Sequence, residues 1–217
     1  MFEYKLRNLI FLVFVIAMAG AGSDDSFAKN EVGITKSFSY LDVMHDEKMV
    51  RIERIQDTSN KLNNSFTKTS RPCPPFCIQP IQLHPDIKTM GEVELLIFLD
   101  TEVKKNKGLL IDARMPAWFE KGTIPGSVNI PFTILSDGLK SQHAQKIVNL
   151  LGAKKIKDEW NFSNVKKLLL FCNGPWCSQS HFAINGLLEL GYPPSQLYWY
   201  RGGMQSWQLF GLTTVIP

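Results

Sequence analysis

Short apolar runs alternate with helical segments from about residue 85 to the end of the chain, and few architectures accommodate that order. Leu109-Leu110-Ile111-Asp112, Ser127-Val128-Asn129-Ile130-Pro131, Lys167-Leu168-Leu169-Leu170-Phe171-Cys172 and Gln196 to Tyr200 read as strands. Gly91 to Leu99, Ser141 to Leu151, Ser178 to Leu190 and Met204 to Phe210 read as helices. The first helix puts Val93, Leu96 and Ile97 on one side. The third puts Ala183, Leu187 and Leu190 at i, i+4 and i+7, and Gly191 then Pro193 stop it. Strands this short and apolar are covered on both sides. The expectation is therefore an α/β fold with a central, mostly parallel sheet and helices on both faces. Ligands of such sheets sit at the carboxyl ends of the strands, and Cys172 stands at one.

The first 84 residues have a different texture. Lys5 and Arg7 precede an unbroken apolar run from Leu9 to Gly22, shorter than the ~18 residues that span a bilayer. Ser26-Phe27-Ala28 then places small residues ahead of a cut after Ala28, so residues 1–28 read as a secretory signal peptide. An uncleaved signal retained as an anchor is the alternative. Cleavage implies a periplasmic or secreted protein without stable membrane insertion, in a compartment that permits disulfides. Residues 29–84 read as an N-terminal extension. Phe38 to Val43 and Met49 to Ile55 alternate around His45-Asp46-Glu47-Lys48, which predicts a β-hairpin. Asp57 to Thr69 is rich in Ser, Thr and Asn and reads as a loop. In Arg71-Pro72-Cys73-Pro74-Pro75-Phe76-Cys77 three prolines exclude a helix or a central strand. The net charge of +4 comes from scattered Lys and Arg, which argues for solvated faces and against a nucleic-acid partner.

The segment Cys172-Asn173-Gly174-Pro175-Trp176-Cys177 carries the chemistry. A buried strand delivers the thiol to the top of the sheet, a tight loop follows, and a helix starts near Ser178. Inward-pointing amides of such a loop form an anion nest. The helix N-terminus adds partial positive charge. Both favour thiolate over thiol and lower the cysteine pKa. A nucleophile toward sulfur, phosphorus or a disulfide fits this place; a small buried hydrophobe is the bland reading.

Three segments in register resemble the rhodanese-like (sulfurtransferase) domain family over roughly residues 85–217. Leu110-Ile111-Asp112-Ala113-Arg114 with Gly122-Thr123-Ile124-Pro125-Gly126-Ser127-Val128-Asn129-Ile130-Pro131 is similar to its opening signature. Leu169-Leu170-Phe171-Cys172 is similar to its active-site segment, and Tyr200-Arg201-Gly202-Gly203-Met204-Gln205-Ser206-Trp207 to its closing motif. The Cys73-Pro74-Pro75-Phe76-Cys77 segment also resembles a group of exported bacterial members. The resemblance implies a sulfurtransferase without metal or organic cofactor. Cys172 takes a sulfane sulfur from a donor such as thiosulfate, becomes a persulfide, and passes the sulfur to a thiol, small or on a protein, or to cyanide. Amides from Asn173 to Ser178, Pro175 excepted, would hold the persulfide. Gly174, Trp176 and Cys177 belong to that anion-binding loop. Asp112 and Arg114 would brace the loop or meet the substrate, the alternative being a structural ion pair. Related phosphatases use a longer loop ending in Arg; no Arg lies between Cys172 and His181, which disfavours phosphate transfer. Thr123 stands where the family usually has His. The loop carries Trp176 and no charge, which disfavours small dianions as the physiological donor and suits an apolar acceptor.

Four cysteines allow three full pairings. The simplest is local, Cys73 with Cys77, leaving Cys177 free beside Cys172. That arrangement also suits a thiol–disulfide redox protein cycling Cys172 and Cys177. A non-catalytic rhodanese-like binding module is the third reading, and the presence of Cys172 argues against it. Zinc bound by the four cysteines is disfavoured by their irregular spacing. Of His45, His84, His143 and His181, only His181 falls near the loop. Trp207 is expected beneath the sheet.

Overall fold

The computed structural model describes residues 32–157 and 159–217; the expected signal peptide lies outside the described residues. The chain enters through an antiparallel hairpin of β1 (Tyr40–His45) and β2 (Lys48–Glu53). Its two-residue turn holds Asp46 and Glu47 at φ 46° and 63°, the mirror-image turn that matches the twist of the flanking strands. Next come β3 (Lys88–Met90), α1 (Glu92–Phe98), β4 (Gly108–Asp112), α2 (Pro116–Phe119), β5 (Ser127–Asn129), α3 (Phe132–Leu135) and α4 (Gln142–Leu150). The last part holds β6 (Lys154–Ile156), β7 (Glu159–Asn161), β8 (Lys167–Phe171), α5 (Gln179–Glu189), β9 (Leu197–Tyr200) and α6 (Gly203–Leu209).

Five strands form one parallel sheet in the order β3-β9-β8-β4-β5. The middle strand, β8, is apolar throughout because both of its faces are covered. Leu168 and Leu170 pack with Ala183, Ile184 and Leu187 of α5 and with Ala144 and Val148 of α4. Leu169 and Phe171 point the other way, toward Leu95 and Phe98 of α1 and Met204 and Trp207 of α6. The hairpin completes this second layer, since Leu41, Val43 and Ile52 join the same cluster. Its end is tied to the C-terminal tail by a backbone bond from Thr213 N to Glu53 O, 3.0 Å. The extension is thus a working part of the core on that face.

One expectation is corrected. The buried side of α1 is Leu95, Leu96 and Phe98, continued by Leu99, whereas Val93 and Ile97 are exposed. Leu95, Phe98 and Leu99 are spaced i, i+3, i+4 and carry more apolar bulk, and a π-turn over Leu99–Val103 prolongs the helix beyond its expected end. The small antiparallel pair β6–β7 was not expected from sequence; its strands are polar, and Trp160 and Phe162 supply its packing against Tyr192. Among the described residues no helix is long and apolar enough to cross a membrane.

Candidate active site

Strand β8 ends at Phe171 and hands Cys172 to the loop, where the residue is only 2% exposed. The loop closes on itself through Cys177 N to Gly174 O, 2.9 Å, and α5 begins two residues later. The wall around the Cys172 sulfur is polar. Ser180 Oγ donates to it at 3.3 Å, the Cys172 thiol reaches Cys177 O at 3.2 Å, and the amides of Gly174 and Ser180 also hydrogen-bond the sulfur. Burial alone would push this thiol up. Hydrogen bonds from the Cys177 thiol, the Ser180 hydroxyl and those two amides outweigh it and bring Cys172 down from 9.0 to about 7.

Cys177 goes the opposite way. Its hydrogen bond to Cys172, its burial and the charge on Cys172 push its pKa far above the ordinary range, against weaker support from the amides of Asn173 and Gln179. The pair thus favours the thiolate on Cys172 and the thiol on Cys177. The loop amides do not all converge on Cys172 as expected. Gly174 and Ser180 reach that sulfur, Asn173 and Gln179 reach Cys177, and the amide of Cys177 is consumed by the turn. Ser178 is the N-cap of α5 and its carbonyl accepts from Phe182 N at 2.9 Å.

Ser180 escaped the sequence reading. It is fully buried, and Trp199 Nε1 donates to its hydroxyl at 3.0 Å, which aims the hydroxyl proton at Cys172. The closing Gly-Gly segment acts from the other side. Met204 N and Gln205 N donate to the carbonyls of Cys172 and Asn173 at 3.0 and 2.9 Å. This approach needs a residue without Cβ at Gly203. Its φ is +56°, and a Cβ there would fall 2.7 Å from Gly174 N and 2.9 Å from the Asn173 carbonyl carbon.

Asp112 and Arg114 form a buried ion pair. Arg114 Nε donates to Asp112 Oδ1 at 2.9 Å, and its Nη2 donates to Gly122 O at 2.7 Å. Arg114 Nη1 reaches Asn173 Oδ1 at 3.4 Å, so the pair meets the loop at Asn173. Thr123 Oγ1 donates to Asp112 Oδ2 at 2.7 Å, giving the carboxylate a further partner within the signature. His181 is held by Gln79, with Nδ1 and Oε1 3.2 Å apart, and burial lowers its pKa.

The proline-rich segment of the extension lies against this loop. Cys73 and Cys77 are joined by a disulfide. Phe76 meets Trp176 edge-on at 5.6 Å between ring centroids, and the Arg71 guanidinium lies 3.8 Å over the Trp176 ring. Trp176 Nε1 donates to Gln205 Oε1, Gln79 N donates to Pro175 O at 2.7 Å, and Arg201 Nη2 donates to Gln79 O at 2.8 Å. A cavity of about 370 Å³ opens beside Asn173, Cys177 and Ser178. A wider hollow of about 640 Å³ lies at the amino ends of β4 and β8, remote from either free thiol.

Among known protein families, the one described as the rhodanese-like domain matches residues 98–209, just over half of the chain. Solved structures similar to it include a rhodanese-related protein from Thermoplasma volcanium, 21% identical, covering 60% of this chain and 99% of that one with a TM-score of 0.40. A human single-domain sulfurtransferase is 24% identical, covering 56% and 95% with a TM-score of 0.38. A Rhodopseudomonas palustris protein described as of unknown function, possible tyrosine phosphatase, is 20% identical, covering 61% and 88% with a TM-score of 0.44. No curated protein matches the chain.

Proposed function

The chain belongs to the rhodanese-like domain family, and from that premise we propose that it is an exported sulfurtransferase whose sulfur is carried on Cys172. The observation that carries this reading is the set of donors around that sulfur. Gly174 and Ser180 amides, the Ser180 hydroxyl and the Cys177 thiol together lower Cys172 to about 7 despite its burial. A thiolate poised near neutral pH is a competent nucleophile. It attacks the outer sulfur of a thiosulfonate or thiosulfate donor. A new S–S bond forms at Cys172 as the donor's own S–S bond breaks, and the electron pair leaves with the sulfinate or sulfite. The persulfide keeps its negative charge on the terminal sulfur. An acceptor thiolate or cyanide then attacks that sulfur, and Cys172 returns as thiolate, leaving the electron count unchanged. Asp112 and Arg114 hold Asn173, and thereby the loop, rather than the substrate.

One observation favours a second reading. Cys172 and Cys177 are both free, buried and hydrogen-bonded to each other, an arrangement suited to closing a disulfide when an external disulfide accepts the electrons. Steady-state sulfur transfer separates the two. Cys172→Ser abolishes both activities. Cys177→Ser retains sulfur transfer, because its hydroxyl still donates to Cys172; loss of transfer in that variant would assign the chemistry to the pair.

A further inference from the structure

Three features of the molecule lie outside the chemistry above: the lysine-rich hollow at the far end of the sheet, the exposed apolar side of α1, and the proline-rich strap from Arg71 to Pro80. In the first, Lys166 Nζ is already spent on Asn106 O at 3.0 Å and Lys167 Nζ on Glu102 at 2.8 Å. Nothing in the structure shows what would cover Val93 and Ile97. The strap carries more, because its contacts converge on the Cys172 loop and that loop's neighbours. Arg71 stacks 3.8 Å over the Trp176 ring, and Phe76 meets the same ring edge-on at 5.6 Å. Gln79 N donates to Pro175 O at 2.7 Å, and Gln79 Oε1 lies 3.2 Å from His181 on the first turn of α5. Arg201, just past β9, holds the strap from behind at Gln79 O, 2.8 Å, and Pro80 O, 3.0 Å.

The thiol beneath is shut in. Cys172 is 2% exposed and does not line the neighbouring cavity, whose walls include Asn173, Trp176 and Cys177 on the loop side and Arg71, Pro75 and Phe76 on the strap side. A reagent in that cavity meets Cys172 after the loop has moved, and the strap pins Pro175 and Trp176 in the middle of the loop. Docking has a cost. Arg71 Nε lies out of solvent contact without a hydrogen-bond partner among the described residues, which works against the closed arrangement. The Cys73–Cys77 disulfide works for it, by closing the turn that presents Phe76. Opening that ring gives the undocked strap more conformational freedom, so docking then costs more entropy. Cys73 is exposed and Cys77 half-buried, so an external thiolate can reach the bond.

Resting on Cys172 as the reacting thiol of the sulfurtransferase reading, we propose that the strap is a redox-controlled closure over Cys172, shut while Cys73 and Cys77 are joined and opened when an external dithiol reduces them. A thiolate of the dithiol bonds to Cys73 Sγ. The Cys73–Cys77 bond breaks, and its electron pair leaves with Cys77 Sγ, which takes a proton. The second thiol of the reductant then attacks the reductant's own sulfur in the mixed disulfide and frees Cys73. The reductant departs as a disulfide, and its two hydrogens remain on the two cysteines. Phe76 and Arg71 then release Trp176, and the middle of the loop moves aside for a sulfur donor. The groups that set the acidity of Cys172 are Gly174, Ser180 and Cys177, none of them on the strap, so opening changes access and leaves the titration in place.

The test is the rate at which iodoacetamide alkylates Cys172 in the whole protein, read by fragmentation of the labelled peptide, at pH ~9 where the thiolate is largely formed. Protein with its disulfide intact is compared with protein reduced by dithiothreitol, the reductant then being removed under anaerobic conditions. The expected result is alkylation about tenfold faster after reduction. The double variant Cys73→Ser/Cys77→Ser matches the reduced rate with or without dithiothreitol, and Phe76→Ala is faster with the disulfide intact. The Cys172 midpoint stays near 7 throughout, which shows that the site itself is still folded. Hydrogen exchange of the Gln79 amide, whose bond to Pro175 reports docking directly, quickens on reduction of the natural sequence, so the comparison does not depend on a variant that folds. Alkylation unchanged or slower on reduction, or faster with a displaced midpoint, overturns the closure. Single-turnover persulfide formation from thiosulfate accelerates in parallel, and indifference to reduction at that step also overturns it. Faster alkylation with no persulfide in either redox state leaves the closure standing and refutes the sulfurtransferase reading instead.

Discussion

Ser180→Ala removes one donor from the Cys172 sulfur while changing little volume, and its consequence can be worked out. A hydrogen bond to a charged group contributes about 1.5–3 kcal/mol, and one pKa unit corresponds to about 1.4 kcal/mol, so losing this one raises the thiol by about 1–2 units. Cys172 would move from about 7 to roughly 8–9. At pH 7 the thiolate fraction then falls from about a half to between a tenth and a hundredth. The more basic thiolate is intrinsically faster, by a factor of about 3 per unit, which leaves a net slowing of about 2- to 6-fold at pH 7. The sign reverses in alkali. Above pH ~9 both proteins are largely ionised and the variant overtakes the wild type. The assay is the pH dependence of Cys172 alkylation or persulfide formation, read over the full range. A midpoint that stays near 7 in Ser180→Ala, or a profile without the crossover, would refute the claim that this hydroxyl stabilises the anion. The variant also leaves Trp199 Nε1 without its buried acceptor, at a cost of about 1–3 kcal/mol seen in urea denaturation.

The depressed pKa makes the wild-type rate fall as pH drops through about 7 and level off above it, since the thiolate is the reacting species; a flat profile between pH 5 and 9 would contradict it. Gly203→Ala forces a Cβ onto the Cys172–Gly174 backbone at positive φ, so activity drops and stability falls by about 2 kcal/mol or more in denaturant melts. Asp112→Asn leaves the Arg114 charge buried without its partner and costs about 3–5 kcal/mol, measured the same way. Cys73→Ser opens a small loop and costs about 2 kcal/mol on the chain-entropy account, with the Cys172 titration midpoint unmoved.

The parts of this molecule readable in its sequence are those fixed by local pattern. Leu168 to Phe171 could only be a strand covered on both sides, and the alternation around Asp46-Glu47 could only be a hairpin. Cys172 was readable because a thiol at a strand end before a Gly-Pro loop has few other uses. What was not readable depends on docking between distant segments. Ser180 lies in an ordinary helical first turn, and only the arrival of Trp199 from the neighbouring strand orients its hydroxyl toward sulfur. The absence of charge in residues 173–178 suggested a site without a cation. Arg71 supplies one from about a hundred residues upstream, and no local pattern shows where a proline-rich turn will rest. The division of amides between two sulfurs was equally hidden, because it follows from the turn at Gly174 and Cys177 and not from the residue types. On α1 the pattern itself misled: Val93, Leu96 and Ile97 share a side, but Leu95, Phe98 and Leu99 bury more.

The proposed chemistry requires a single sulfur anion at position 172 that accepts sulfur from a donor. Its most direct measurement is intact and peptide mass after brief exposure of the protein to benzenethiosulfonate or thiosulfate, without reductant. The expected result is one added sulfur atom on the peptide containing Cys172, lost on addition of cyanide with release of thiocyanate. A peptide that instead loses two hydrogens between Cys172 and Cys177, or gains nothing with either donor, would contradict it.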